Sequence, residues 1–364
     1  MKVLIVKASA LGDVVHALPV LAWLKSADPE VEVDWLVEEG FAPLLDGHPL
    51  LRKVHRVATR SWRRQGKMAV LREGRRVVSC LRRERYDVVL DLQGNSKSGL
   101  FTLLSGAPRR YGFGRDGVRE WPNLLATNRK VPLSAAEHHI SERSLAIARA
   151  AFSSGSEHLP AGPLPVRPEA AARVDAQLAA FGLSDRCLAV LHYGTTWTTK
   201  LWSVDHWQQL MSNLMANTDL VPLLTWGNEE ERAVVAGLCA AAGGRALVWP
   251  RGTLPELVAL LARAAVVVGG DTGPVHIAAA VGTPTVSFYR VTDSERNGPR
   301  GEGHIRLQAP LPCSPCLRKA CERDRECAAS IQVAEALRAV QAVLEGGTSA
   351  NDPAGPAVAG SRME

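Results

Sequence analysis

The sequence predicts an α/β protein made of two Rossmann-like, doubly wound domains that face each other across a cleft. Three observations carry this. Short apolar runs alternate with amphipathic stretches along the chain, the pattern of parallel strands joined by crossover helices. The alternation breaks once, at residues 153–167, where Gly, Ser and Pro mark a linker. The 364 residues are enough for two domains, each with its own core. The expected division is residues 1–160, residues 168–345, and a Gly/Ala/Pro/Ser tail over 346–364 too poor in apolar residues to fold.

In the first half, residues 2–7 read as the first strand, followed by the loop Ala8-Ser9-Ala10-Leu11-Gly12-Asp13. Residues 14–25 read as a helix with Asp13 at or near its N-cap, a position aspartate favours for its own sake. Pro19 lies inside that helix and should strain or kink it. Residues 31–37 alternate as a strand, and Glu38-Glu39-Gly40 begins the next helix. Residues 54–57 form a short strand before a basic loop, Arg60-Ser61-Trp62-Arg63-Arg64. A helix over 68–83 and a buried strand over 86–91 follow, then the loop Leu92-Gln93-Gly94-Asn95-Ser96-Lys97-Ser98. Residues 109–112 are a weak strand, 116–130 are polar and irregular, and 137–152 are a helix.

The second half repeats the scheme. Helix 168–181 precedes a strand over 187–192, whose loop carries Thr195, Thr196 and Lys200. Strand 220–226 leads through Gly227-Asn228-Glu229 into a helix; strand 246–249, helix 254–263 and a closing helix over 332–344 complete the count. Residues 265–290 hold the most informative stretch. An apolar strand turns at Gly269-Gly270-Asp271-Thr272-Gly273, and Pro274 opens a helix that carries His276. Glycines let a ligand approach the backbone, and free N–H groups at a helix start attract phosphate. The spacing is neither G-x-G-x-x-G nor a lysine-bearing P-loop. An ordinary βα turn and a diphosphate site both fit this segment taken alone.

Composition narrows the class. With 46% hydrophobic and 22% charged residues the chain is of ordinary globular type. Charges interrupt every apolar run short of ~18 residues, so no membrane span is expected, and the first apolar run is too short for a signal peptide. A cytoplasmic protein is the expectation. The net charge of +6 makes acidic partners plausible: nucleic acid, anionic lipid or a phosphorylated sugar. Thirteen basic residues fall between Arg52 and Arg85, against only Glu73 and Glu84. The segment lacks the interleaved aromatics of single-strand nucleic-acid binders, so nucleic acid is not the expected partner. Trp62 reads equally as a packed anchor or as a membrane-surface residue beside its arginines.

Two domains with a cleft suit an enzyme that joins two substrates. A leaving nucleoside diphosphate is weakly basic and needs charge stabilisation, which Lys200 and a helix N-terminus can supply. An attacking hydroxyl needs one base, and Asp13 is an isolated carboxylate in a loop at the carboxyl end of a strand. A single displacement inverts the anomeric centre, without the paired carboxylates that glycoside hydrolysis uses.

On these residues the chain resembles the ADP-heptose:lipopolysaccharide heptosyltransferases of glycosyltransferase family 9, with the GT-B fold. The matching segments are VLIVKASALGDVVHALPVLAWL, DLQGNSKSG, HYGTTWTTKLWSVDHW, WGNEEERA and GGDTGPVHIAAAVGTPTVSFY, covering both domains from residue 3 to about 290. The likeness is greatest to the branch that adds the first heptose to the Kdo sugar of Kdo-lipid A. It implies Asp13 as catalytic base. It places Lys200, Asp271, Thr272, Gly273 and His276 at the donor diphosphate, with Thr195 and Thr196 beside it and Glu229 on the ribose. It implies an acceptor site of Ser9, Arg60, Arg63, Arg64, Gln93, Arg119 and His139, guanidinium being suited to phosphate and carboxylate. It further implies ADP-heptose as donor, no metal cofactor, a monomer, and peripheral contact with the anionic inner-membrane surface. Alternatives are a later heptosyltransferase, a UDP- or TDP-sugar transferase, and a nucleotide-sugar-binding protein without turnover.

Cys313, Cys316, Cys321 and Cys327 depart from the pattern of that branch. One C-x-x-C with irregular later spacing leaves a structural zinc, a disulfide and reduced thiols all open. Cys80, Cys187 and Cys239 lie in apolar stretches and read as core. His16 and His206 read as structural.

Overall fold

The computed structural model describes residues 1–152, 162 and 164–347. The tail from 348 and most of the expected linker therefore lie outside the described residues.

The first domain runs β1 (Lys2–Val6), α1 (Leu11–Ala17), α2 (Pro19–Ala27), β2 (Glu32–Glu38), α3 (Ala42–Leu45), β3 (Lys53–Val57), α4 (Thr59–Gln65) and α5 (Lys67–Glu84). It continues with β4 (Val88–Asp91), α6 (Ser96–Leu104), β5 (Arg109–Phe113), a 3-10 turn over Trp121–Leu125, β6 (Arg129–Val131) and α7 (Ile140–Ala151). The second runs α8 (Pro168–Ala180), β7 (Leu188–His192), α9 (Val204–Asn217), β8 (Val221–Thr225), α10 (Glu229–Ala241), β9 (Leu247–Val248), α11 (Leu254–Arg263) and β10 (Val266–Gly270). It closes with α12 (Gly273–Ala280), β11 (Thr285–Tyr289), α13 (Ser294–Asn297), β12 (His304–Gln308), α14 (Asp324–Ser330) and α15 (Val333–Gly347).

Each domain holds one six-stranded parallel sheet, ordered β3-β2-β1-β4-β5-β6 and β12-β11-β10-β7-β8-β9. The two orders are the same doubly wound topology. The chain reverses direction of winding at its first and fourth strands, so a crevice opens between β1 and β4 and another between β7 and β10. The central strands are buried on both faces, and their sequences (VLIV in β1, VVV in β10) are correspondingly apolar throughout. One apolar cluster continues from α1, α2 and α7 into α8, α11 and α12, so the two domains share core at the base of the cleft.

Several boundaries differ from the sequence expectations, each for a local reason. The first helix starts at Leu11 with Ala10 as its cap residue, so Asp13 stands at the third helical position. Pro19, which has no N–H, divides that helix into α1 and α2. Glu38-Glu39-Gly40 ends β2 and turns; the helix there is a single turn at Ala42–Leu45. The basic loop 60–64 is helical, because Trp62 is buried against Leu4, Val57 and Leu81 and pulls the segment into α4. The loop 92–98 is cut short by α6, for which Asn95 is the cap, its Oδ1 accepting from Ser98 N at 2.9 Å. Cys80 and Cys187 are exposed and Cys239 alone of that trio is buried. No single helix among the described residues is long and apolar enough to cross a membrane.

Candidate functional site

The crevice of the first sheet is built around Lys7, the residue that follows β1. Its ammonium is buried, donates to Leu92 O at 2.9 Å and stands 3.9 Å from Asp13 Oδ1. Burial pushes the Lys7 pKa down, and the charges of Asp13 and Asp91 oppose that shift. Gln93 Oε1 accepts from both Ala8 N and Ser9 N at 3.0 Å, which ties the loop after β1 to the loop after β4. Asp91 anchors that second loop, accepting from Gln93 N, Gly94 N, Ser98 Oγ and Asn123 Nδ2. Gly94 has φ +71°, and its carbonyl accepts from Arg119 N, so the positive-φ turn brings the 115–120 segment to the crevice. Asp13 caps the start of α1 by accepting from Ala10 N at 3.1 Å, yet its side chain is still 24% exposed. Capping and availability to a substrate are therefore compatible.

The crevice of the second sheet is built on Asp271. Its carboxylate pairs with Lys200 Nζ at 2.7 Å and accepts from His276 Nε2 at 3.2 Å. Burial alone would raise its pKa, but the His276 hydrogen bond and the Lys200 charge outweigh burial and hold it well below the carboxylate range. Lys200 also lies 5.0 Å from the Trp197 ring centre. The N-terminus of α12 has no side-chain cap, and Thr272 Oγ1 is buried with no partner among the described residues. Uncapped amides, an unpartnered hydroxyl and an ammonium on one strand edge are groups able to receive an anion.

The two crevices meet. A Cβ on Gly12 would come within 2.7 Å of the His276 ring, and one on Gly273 within 2.5 Å of Leu11. The helix start that bears Asp13 thus packs directly on the helix start that follows Asp271. His16, one turn beyond Asp13, packs against His276 at 4.4 Å between ring centres with the rings tilted by 57°, and meets His139 edge-on at 5.3 Å. His139 caps α7 through Nδ1 and donates from Nε2 to Gly298 O at 3.0 Å across the domain boundary. His138–Asp293 at 2.8 Å and Arg300–Glu142 at 3.6 Å join the domains beside it. Burial lowers His139 to about 4 and His16 well below its ordinary value, so both are neutral at neutral pH.

A model of glycosyltransferase family 9 (heptosyltransferase) matches residues 75–326. The lipopolysaccharide heptosyltransferase 1 of Pseudomonas aeruginosa is 36% identical over 333 residues, 90% of this chain and 90% of its own. The chain belongs to glycosyltransferase family 9. The structure of the E. coli heptosyltransferase WaaC with ADP superposes with a TM-score of 0.77 at 28% identity, over 94% of this chain and 100% of that one. The same enzyme with ADP-2-deoxy-2-fluoro heptose gives 0.75 over 94% and 99%.

Within this family 9 chain, the structure gathers Asp13, Lys200, Asp271, Thr272, Gly273 and His276 at the join of the two crevices, with Ser9 and Gln93 on the adjoining loop. Thr195 and Thr196 lie on the Lys200 loop, half-buried and exposed respectively. Glu229 opens α10 at the carboxyl end of β8, is 70% exposed and pairs with Arg232 at 3.1 Å. Arg60, Arg63 and Arg64 are exposed on α4, and Arg119 is exposed beside Gly94.

One site residue escapes the sequence reading: Lys7 is signalled only by a charge after an otherwise apolar run. His16, read as structural, is the ring packed between His276 and His139 where the two domains meet. The four cysteines from Cys313 to Cys327 are all free. Among the described residues, the one trio of His, Cys, Asp or Glu ligand atoms within 4.8 Å of one another is Asp34, His55 and Glu84. That trio is an ion-pair cluster around the Arg52 guanidinium, 2.5 Å from Asp34 and 2.6 Å from Glu84.

Proposed function

We propose that this transferase moves heptose from ADP-L-glycero-D-manno-heptose to the Kdo sugar of Kdo-lipid A, with inversion, in lipopolysaccharide inner-core synthesis. The observation that carries the reading is the contact of the Asp13 helix start with the uncapped α12 start beside Lys200. A donor diphosphate on the α12 amides and Lys200 places its anomeric carbon toward the first domain, where Asp13 takes the proton of the attacking hydroxyl. The bond from the anomeric carbon to the acceptor oxygen forms as the bond to the diphosphate breaks. The departing ADP carries the electron pair, and Lys200 and the helix N-terminus balance its charge. Glu229 holds the ribose and Thr195 and Thr196 flank the diphosphate. His139 fixes the cleft wall, and Arg60, Arg63, Arg64 and Arg119 meet the acidic groups of the acceptor. The protein works as a monomer at the cytoplasmic face of the inner membrane and needs no metal.

The test is ADP release from ADP-heptose with de-acylated Kdo-lipid A, for wild type and Asp13→Ala. Acceptor-dependent ADP in wild type, lost by about three orders of magnitude in the variant while ADP-heptose still binds, is the expected result. Full activity in Asp13→Ala would leave Asp13 a helix cap only. Turnover solely with an already heptosylated acceptor would move the protein to a later step.

A further inference from the structure

Among the described residues, six exposed large apolar side chains lie on three neighbouring elements of the first domain. Met68 and Leu71 project from α5, Leu100 and Leu103 from α6, and Trp121 and Leu125 from the 3-10 turn. Met68 is 77% exposed, Trp121 70% and Leu125 73%, values that no core role explains. The three elements are contiguous. Arg82 Nε on α5 donates to Leu104 O at the end of α6, and Asn123 of the turn donates to Asn95 O at its start. On α5, Met68, Leu71, Arg72, Arg75, Ser79 and Arg82 fall at helical spacing along one outward stripe, all exposed. The two acids of α5 are not on it: Glu73 pairs with Arg72 and Arg76, and Glu84 with Arg52 and Lys53. Within α6 and the turn there is no acid, and the carboxylate of Glu120, the residue before Trp121, is engaged by Ser96 N and Oγ at 2.9 and 2.6 Å. Trp62 does not belong to this surface, since it is packed inward.

We propose that α5, α6 and the Trp121–Leu125 turn form the face by which the protein docks on an anionic lipid bilayer. Isolated Met, Leu and Trp side chains set among arginines suit insertion at the headgroup boundary with guanidinium groups at the phosphates. A second copy on this face would set arginine against arginine. A nucleic-acid backbone would use the charges and leave Met68, Leu71 and Leu125 with nothing to bury against. The inference rests on the proposed lipid acceptor only for its purpose, because α6 starts from the crevice that holds Lys7 and Asp13 and a docked face sets that crevice beside the membrane.

The test is sedimentation of the full chain with vesicles of phosphatidylcholine, with and without phosphatidylglycerol, alongside turnover on de-acylated acceptor. The expected result is binding to the mixed vesicles alone, weakened by raised salt. Met68→Ser with Leu71→Ser, and separately Trp121→Ser with Leu125→Ser, should each weaken it about tenfold or more while soluble turnover is unchanged. Arg72→Glu with Arg75→Glu should do the same. No vesicle binding by wild type, or equal binding by all variants, would overturn the proposal. So would a concentration-dependent dimer, or an RNA complex, abolished by these substitutions in place of vesicle binding. Loss of soluble turnover with vesicle binding intact would count against the proposed reaction and leave the docking face standing.

Discussion

Two glycines decide how closely the catalytic halves approach. Gly12 faces the His276 ring, which is held by Asp271 on one side and His16 on the other and so cannot swing away. Gly12→Ala therefore forces α1 and α12 apart at the point where the proposed base, Asp13, faces the proposed donor site. A strain on the order of 1–3 kcal/mol is expected, enough to lower kcat/KM roughly 10- to 100-fold if it is felt in the transition state. Steady-state kinetics with the double variant Gly12→Ala/His276→Ala supplies the check. Removing the ring restores the space, so the double variant should lose less than the sum of the two single losses. Additive losses would show that the contact does not set the geometry. Lys7 illustrates a different limit of the same scale. Nothing in the sequence distinguishes a lysine at the end of β1 from a solvated strand terminus. Its role follows from the loop after β4 closing over it, a contact between residues 85 positions apart.

At the scale of elements, what was legible was whatever has a period or a punctuation mark. Helix 254–263 was expected with the bounds the structure gives, since it has a strong apolar stripe and a Thr253/Glu256 capping box. The helix α6 was missed because SKSGLFTLL is short and contains Gly and hydroxyls. Its stability comes from the Asn95 cap and from packing on the Trp121–Leu125 turn, neither of which has a periodic signature. The segment 309–331 was opaque for the same reason, and Arg290 is what orders it. This fully buried guanidinium reaches Leu201 O on the Lys200 loop, and Asp324 O and Oδ1 at 2.5 and 2.7 Å on α14. The segment is further tied to that loop by Thr199 Oγ1 on Arg318 O at 2.8 Å. Arg290→Met should cost about 2–4 kcal/mol, below the figure for a fully buried pair because Asp324 is partly exposed. Hydrogen exchange should rise in residues 195–202 and 311–324 together, with a higher KM for donor. A rise confined to 311–324 would mean that Arg290 does not brace the Lys200 loop.

At the scale of the whole molecule, the domains are joined by neutral imidazoles, which makes their association a function of pH. His139 titrates near 4 in the folded chain and near 6.5 when unfolded, so between those values the unfolded chain binds more protons. Its contribution to stability is fully present above about 6.5 and is lost as pH falls through about 4, at ~1.4 kcal/mol per unit for one proton. His16, also pushed down by burial and by its neighbours His276 and His139, adds to the loss in the same direction. Asp91, whose carboxyl burial pushes up, acts the opposite way, so the informative quantity is a difference between proteins. In His139→Gln the amide can still donate to Gly298 O, but the proton-linked part is gone. Chemical denaturation at steps from pH 7 to pH 4.5 should give wild type a slope steeper than the variant by up to one proton. Because a charge on His139 or His16 lies against the other imidazoles at the boundary, small-angle scattering should show wild type expanding at low pH before it unfolds, and the variant expanding less. Parallel slopes would mean that the imidazole cluster packs the domains together without sensing protons. Coincident expansion and unfolding would mean that the shared core beneath α1 and α12, rather than the histidines, holds the cleft closed.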